Sequence, residues 1–116
     1  MAREQAKSLF RLTTKGVFSK DYSLRNQIMA ASGSVMDNIA EGFDRFSKKE
    51  FLQFLVIARG SNAEVRSQMY RAYDFGYFSN KEFEGSLAFT ERISIKLNAL
   101  IRYLRNSKFS SKPTTH

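Results

Sequence analysis

The 116 residues contain no cysteine, no tryptophan, a single proline and a single histidine. Without cysteine there are no disulfides, no thiolate nucleophile and no thiolate metal site. The histidine is His116, the last residue, so an internal histidine base or histidine-based metal cluster has nothing to build on. Pro113 also lies near the end, which leaves the preceding positions free of the strongest helix breaker. No stretch of 18 apolar residues occurs, so no transmembrane helix is expected. The first eleven residues carry Arg3, Glu4, Lys7 and Arg11, which breaks up any apolar core of a signal peptide. A cytoplasmic location without membrane attachment is the expectation.

What remains is 42% hydrophobic and 26% charged residues, the balance of one soluble domain. Helical periodicity divides it at three short breaks. The first helix is expected over residues 2–14, with Ala6, Leu9, Phe10, Thr13 and Val17 on its apolar face. Gly16 and the polar Ser19, Lys20 and Asp21 mark the first break. The second helix is expected over 22–43, on a stripe of Leu24, Ile28, Ala31, Val35, Asn38 and Gly42, with Gly42 as a C-terminal stop. Its middle is a run of small residues, Ala30 to Ser34, that would admit a neighbouring backbone closely.

Ser47 and Glu50 form a capping-box pattern, and Ser79 and Glu82 repeat it. Behind the first, Phe51, Leu55, Ala58, Asn62, Val65, Met69 and Ala72 alternate by four and three, which predicts lengthwise helix packing to about Tyr73. A second stripe, Phe54, Ile57, Ser61, Glu64 and Gln68, runs beside it and predicts burial between subunits. Behind the second pattern, Phe83, Leu87, Phe89, Ile93, Leu97, Leu100, Ile101 and Leu104 form the apolar face of a fourth helix. The expected fold class is therefore all-α, an antiparallel up-down-up-down four-helix bundle over 1–106, with a disordered polar tail over 107–116.

The net charge of +8 is concentrated at the chain ends: +4 over residues 1–25, −2 over 26–91 and +6 over 92–116. In the expected bundle the first and last helices are neighbours. Arg3, Lys7 and Arg11 would then join Arg92, Lys96, Arg102 and Arg105 in one basic face suited to RNA or DNA. Tyr103, between these arginines, is the candidate for stacking on a base. The carboxylates Asp37, Glu41 and Asp44 read as a solvated row, with Arg45 placed to pair with Glu41. Gln27, Asn38, Asn62 and Glu64 are polar residues on apolar stripes and so need partners. If paired positions of the second and third helices sum to about 90, Gln27 meets Glu64, and Ala30 and Ala31 meet Arg59 and Gly60. No nucleophile, base or metal-ligand set is visible, so no enzymatic activity and no cofactor are expected.

Two segments resemble a known family. Gln27, Ile28, Ala31, Ser34 and Val35, the run Asn38 to Phe43 and then Arg45 match one signature. Lys49, Glu50, Phe51, Phe54, Leu55, the run Ile57 to Ser61 and then Glu64 match another. They resemble the bacterial four-helix bundle proteins, some of them encoded within intervening sequences of 23S ribosomal RNA genes. The resemblance covers about residues 5–105. It implies an antiparallel bundle assembled as a ring, a homopentamer, with no catalysis. Gln27, Asn38, Glu41, Arg59, Ser61 and Glu64 are expected to form a structural polar seam. Related accessory proteins of diversity-generating retroelements bind nucleic acid and a reverse transcriptase, so a nucleic-acid or nucleoprotein partner is expected by analogy. The other expectation is a structural module that recruits a protein, with no nucleic-acid role. The family often carries an Arg-Arg pair where this chain has Met29 and Ala30, so a basic role of the second helix does not carry over.

Overall fold

Side-chain caps set the starts of three of the four helices in the computed structural model of the chain, which is described for residues 1–107. The elements are α1 (Ala2–Thr13), a 3₁₀ turn (Gly16–Lys20), α2 (Tyr22–Phe43), α3 (Lys48–Asp74) and α4 (Asn80–Asn106). Together α1 to α4 make the expected all-α four-helix bundle. Asp21, read from sequence as part of a break, caps α2 by accepting from the Leu24 backbone N–H at 3.1 Å. Ser47 accepts from Glu50 N–H at 3.0 Å, without the reciprocal bond. The box at Ser79 and Glu82 is complete in both directions. α3 ends where Gly76 takes φ 80°, and its N–H and that of Tyr77 bond the carbonyls of Tyr73 and Ala72, a Schellman stop. The expected tail lies outside the described residues from 108 onward. Among the described residues no helix is long and apolar enough to cross a membrane.

The heptad stripe of α3 is the spine of the core. Phe51, Leu55, Ala58, Asn62, Val65, Met69 and Ala72 are all buried, against Leu24, Ile28, Ala31 and Val35 of α2 and Ile93, Leu97, Ile101 and Leu104 of α4. α1 lies along α2 and also touches α4, so the first and last helices do adjoin.

The inward face of α1 keeps Leu9 and Thr13 of the expected one and replaces the rest. Phe10 is 57% and Val17 70% exposed, whereas Gln5, Leu9 and Thr13 are buried. Phe18 takes the place expected for Val17. The 3₁₀ turn swings it inward to 1% exposure, where its ring meets Tyr77 at 4.9 Å and Phe78 at 5.4 Å. The Tyr77 hydroxyl donates to Asp21 Oδ2 at 2.8 Å and ties this turn to the α3–α4 link.

Gly42 is not a stop. It is buried within the last turn of α2, where an added Cβ would lie 3.0 Å from the Phe51 ring and 3.3 Å from Phe54 Cβ. Close approach of α2 and α3 is achieved there, while Gly33 and Gly60 face open space. The small run in mid-α2 contributes a buried Ala31 and Ser32 and a 2.8 Å bond between Ser34 and Ser61 hydroxyls.

Candidate nucleic-acid interface and an apolar groove

Interior polarity is arranged around Asn62, not around Gln27 and Glu64. The Asn62 side-chain amide donates to the Thr90 carbonyl at 2.9 Å. Its Oδ1 is therefore turned the other way and accepts from Gln5 Nε2 at 3.2 Å. One buried side chain on α3 thereby links α1 and α4. Gln5 Oε1 is left buried without a partner.

The expected pair of Gln27 and Glu64 does not form; both residues are exposed. Gln27 accepts from Arg71 Nη2 at 2.8 Å and donates to Ser23 at 3.3 Å. Arg71 stands two turns further along α3 than Glu64. Every helical side chain leans toward its own N-terminus, so contacts between antiparallel helices fall beyond the positions that the link alone would pair. Ala30 is exposed, and Arg59 turns from α2 to α4, where its Nη1 donates to Asn98 at 3.0 Å. Asn38 bonds within α2, to the Ser34 carbonyl at 2.8 Å and hydroxyl at 3.0 Å. Glu41 pairs with Arg45 at 2.7 Å on the surface, as expected. The six seam residues are therefore split: Ser61 and Asn38 meet at Ser34, Arg59 faces α4, and Gln27, Glu41 and Glu64 lie outside. The second α3 stripe is divided too. Ser61 is buried against α2, Phe54 lies under the Arg45 guanidinium at 4.8 Å, and Ile57 stays 50% exposed.

Arg3, Lys7, Arg11, Arg92, Lys96, Arg102 and Arg105 are all exposed, and among the described residues none of them makes an ion pair. They do not gather into one face. At about 100° per residue the four α4 cations span its whole solvent half. Lys96 lies beside α1, sharing a groove with Arg3. Lys7 and Arg11 sit further along the α1–α2 seam, next to Phe10 and Met29. Arg92 lies over the Phe89 ring at 4.9 Å. Arg105 is on the other side of α4, where it lines a depression with Lys48, Lys49, Leu52, Val56 and Ile57. Lys48 Nζ donates to the Ser107 carbonyl at 3.0 Å and holds the last turn of α4 against the start of α3. Arg102 and Tyr103, the latter 67% exposed, flank the same turn. Sequence periodicity did not join Lys48 and Lys49 to this group, because it gives an angle on one helix and not the neighbour it faces.

The groove shared by Arg3 and Lys96 measures about 500 Å³. Its walls are Met36, Ile39 and Phe43 of α2 and Ile93, Leu97 and Leu100 of α4, and no carboxylate lines it. It opens where α1 begins. α1 has 12 residues and α2 has 22. At 1.5 Å per residue these are about 18 Å and about 33 Å, so α1 covers roughly half of the seam beside α2. Among the described residues no group of three or more His, Cys, Asp or Glu side chains could hold a metal ion.

With this geometry in view, the chain compares with known proteins as follows. The model of the 23S rRNA-intervening sequence protein family matches residues 1–99. A comparison with curated proteins finds no match. The fold is similar to the crystal structure of a protein of unknown function from the S23 ribosomal protein family of Bacteroides thetaiotaomicron. The TM-score is 0.80 at 19% identity, over 87% of this chain and 94% of that one. The chain belongs to the 23S rRNA-intervening sequence protein family.

Proposed function

We propose that this member of the 23S rRNA-intervening sequence protein family is a non-catalytic, oligomeric bundle protein of the cytoplasm that binds RNA or DNA through its exposed cations. The observation that carries the reading is the set of seven exposed cations outside any ion pair, joined by Lys48 and Lys49 around the end of α4. Cations left without carboxylate partners are available to displace counterions from a phosphate backbone. Arg105, Lys48 and Lys49 line one depression at the end of α4, and Arg102 and Tyr103 line another at the same turn, with Tyr103 as the stacking surface. Arg3, Lys7, Arg11, Arg92 and Lys96 extend the interface around α4 toward α1. Assembly as a homopentameric ring, which the sequence resemblance implies, would repeat this surface and add weak contacts through avidity. The binding reading is favoured over an enzymatic one by a sequence without cysteine and with its one histidine at the last position.

Filter binding to a single-stranded RNA and a DNA duplex at several salt concentrations tests this. Affinity should fall steeply with salt and differ little between sequences. Arg102→Glu with Arg105→Glu should weaken binding at least tenfold while leaving the melting temperature almost unchanged, since exposed charges contribute little to stability. No binding at low salt, or binding unaltered by the double reversal, would transfer the proposal to the second reading, recruitment of a protein. That reading has its own supporting feature in the apolar groove.

A further inference from the structure

We infer that the depression formed by Ala99, Arg102, Tyr103, Asn106 and Ser107 at the end of α4 is a subsite for one unpaired nucleobase, so that the nucleic acid taken by this protein is single-stranded. The inference rests on the binding reading above and names its substrate class. Its first support is the Tyr103 ring. The chain has five tyrosines. Tyr22 lies under the Arg25 guanidinium, Tyr70 and Tyr73 pack on Phe83, and Tyr77 stacks on Phe18. Tyr103 alone has neither a ring nor a cation against it among the described residues, and its hydroxyl makes no hydrogen bond to them. It is 67% exposed. A bare aromatic face is what a base needs for stacking, and a base inside a duplex cannot reach it because its own faces are covered by its neighbours.

The surroundings of the ring suit a nucleotide. A helical side chain leans toward its own N-terminus, so Tyr103 projects over the turn of Ala99, whose single methyl group leaves the depression of about 400 Å³ open beside it. Arg102 precedes Tyr103 and can hold the phosphate of the stacked nucleotide. Asn106 follows three residues later on the same surface, with an exposed amide that can donate or accept at a base edge. An amide that can do either serves every base, so preference among bases should be small. No carboxylate lines the depression, and α4 has none after Glu91. The acidic row Asp37, Glu41 and Asp44 belongs to α2, which contributes no residue to the depression. Ser107 joins this depression to the next one, since its carbonyl accepts from Lys48. Lys48, Lys49 and Arg105 thus continue a path for the phosphates that follow.

The probes are fluorescently labelled twelve-nucleotide strands of thymidylate and of uridylate, an abasic deoxyribose-phosphate strand of the same length, and the thymidylate strand paired with its adenylate complement. The abasic strand carries the same phosphates without bases. Anisotropy titrations against the full chain should show both pyrimidine strands binding about tenfold more tightly than the abasic one. A surface that reads charge alone prefers the duplex, whose linear charge density is higher. The native chain should instead prefer the thymidylate strand to its duplex, and Tyr103→Ala should reverse that order. Tyr103→Ala should also bring thymidylate affinity down to the abasic level with an unchanged circular-dichroism melt. Tyr103→Phe, which keeps the ring, should bind thymidylate within about twofold of the native chain. Tyr22→Ala, which removes an exposed ring at the start of α2, should also leave it within about twofold. An abasic strand bound as tightly as thymidylate, a native preference for the duplex, or an equal loss on Tyr103→Ala and Tyr22→Ala overturns the subsite and leaves binding through phosphates standing. A difference of more than about tenfold between uridylate and thymidylate would assign recognition to the sugar and overturns it too. No binding of any strand at low salt overturns both readings.

Discussion

At the end of the bundle where α3 turns into α4, each link is fastened to its neighbour. Phe18 fills the space under Tyr77 and Phe78, Asp21 caps α2 and accepts from Tyr77, and Gly76 stops α3 with its carbonyls bonded. At the opposite end α1 leaves half of a seam uncovered, and the described end of α4 is held to α3 by Lys48. Aliphatic walls collect there, with Arg3, Lys48, Lys49, Lys96, Arg102 and Arg105 around them. The contrast separates two tasks along one rod about 53 Å long. Fixing the register of four helices requires aromatic packing and satisfied caps. Offering a surface to another molecule requires leaving apolar area and charge unspent. The proposed binding surface accordingly lies where the packing is incomplete.

The sharpest test of the contrast is to remove one large side chain from each end. Phe18→Ala empties a fully enclosed site and should cost about 3–5 kcal/mol, enough to lower the melting temperature by many degrees. Met36→Ala, in the wall of the groove and 38% exposed, should cost under about 1 kcal/mol, with both variants compared by urea unfolding. Similar losses at both ends would erase the distinction.

Gly42→Ala probes a place near the open end where packing is tight. Its new methyl would meet the Phe51 ring at 3.0 Å, and Phe51 is itself buried. Overpacking of this kind should destabilise by about 1–3 kcal/mol, although alanine is the better helix former. Urea unfolding of the variant measures it; a gain in stability would mean that α2 and α3 can separate there without loss.

A smaller effect should appear only at the fastened end and only with pH. The Leu24 backbone N–H, and then the Tyr77 hydroxyl, hold the Asp21 carboxyl below its ordinary value near 3.8. A carboxylate with a depressed folded pKa contributes stability above its unfolded pKa and loses it as pH falls through the folded one. The same bond raises the Tyr77 pKa above its ordinary value near 10, so its share is present below pH 10 and is lost at higher pH. Melting temperatures of the native chain and Tyr77→Phe, measured from pH 7 down to pH 2, should differ near neutrality and converge at the acid end. A gap that stays constant would show that Asp21 and Tyr77 are not coupled.

The smallest effect belongs to residues that sequence reasoning placed in the interior. Gln27→Ala and Glu64→Ala should each shift stability by less than about 0.5 kcal/mol, because both side chains are exposed. Their combined loss should be additive in thermal melts, since no bond joins them.

These residues show where the sequence was legible. The start of α3 and α4 could be read because serine and glutamate three apart leave few alternatives for the backbone N–H groups they serve. The α3 stripe could be read because seven buried positions at four-three spacing admit a single face. The face of α1 could be read only in part, at Leu9 and Thr13. Its central buried residue after Leu9 is Gln5, whose amide reaches Asn62, and a polar side chain on a short helix carries no hydrophobic signal. Phe18 escaped because a 3₁₀ turn has neither helical nor strand period. The partition of the cations escaped because a helical wheel gives no information about which helix lies beside each arc. The family resemblance supplied the fold, but it did not reveal that Arg3 and Arg105 lie on different sides of α4.

The relay from Gln5 through Asn62 to Thr90 also ties distant parts of the chain together: the Gln5–Asn62 contact joins positions 57 residues apart. α1 covers the α2–α4 seam beside α2, so a chain with α1 undocked would expose that seam along its full length. The groove would then be a continuous apolar trough, the kind of surface from which mis-association starts.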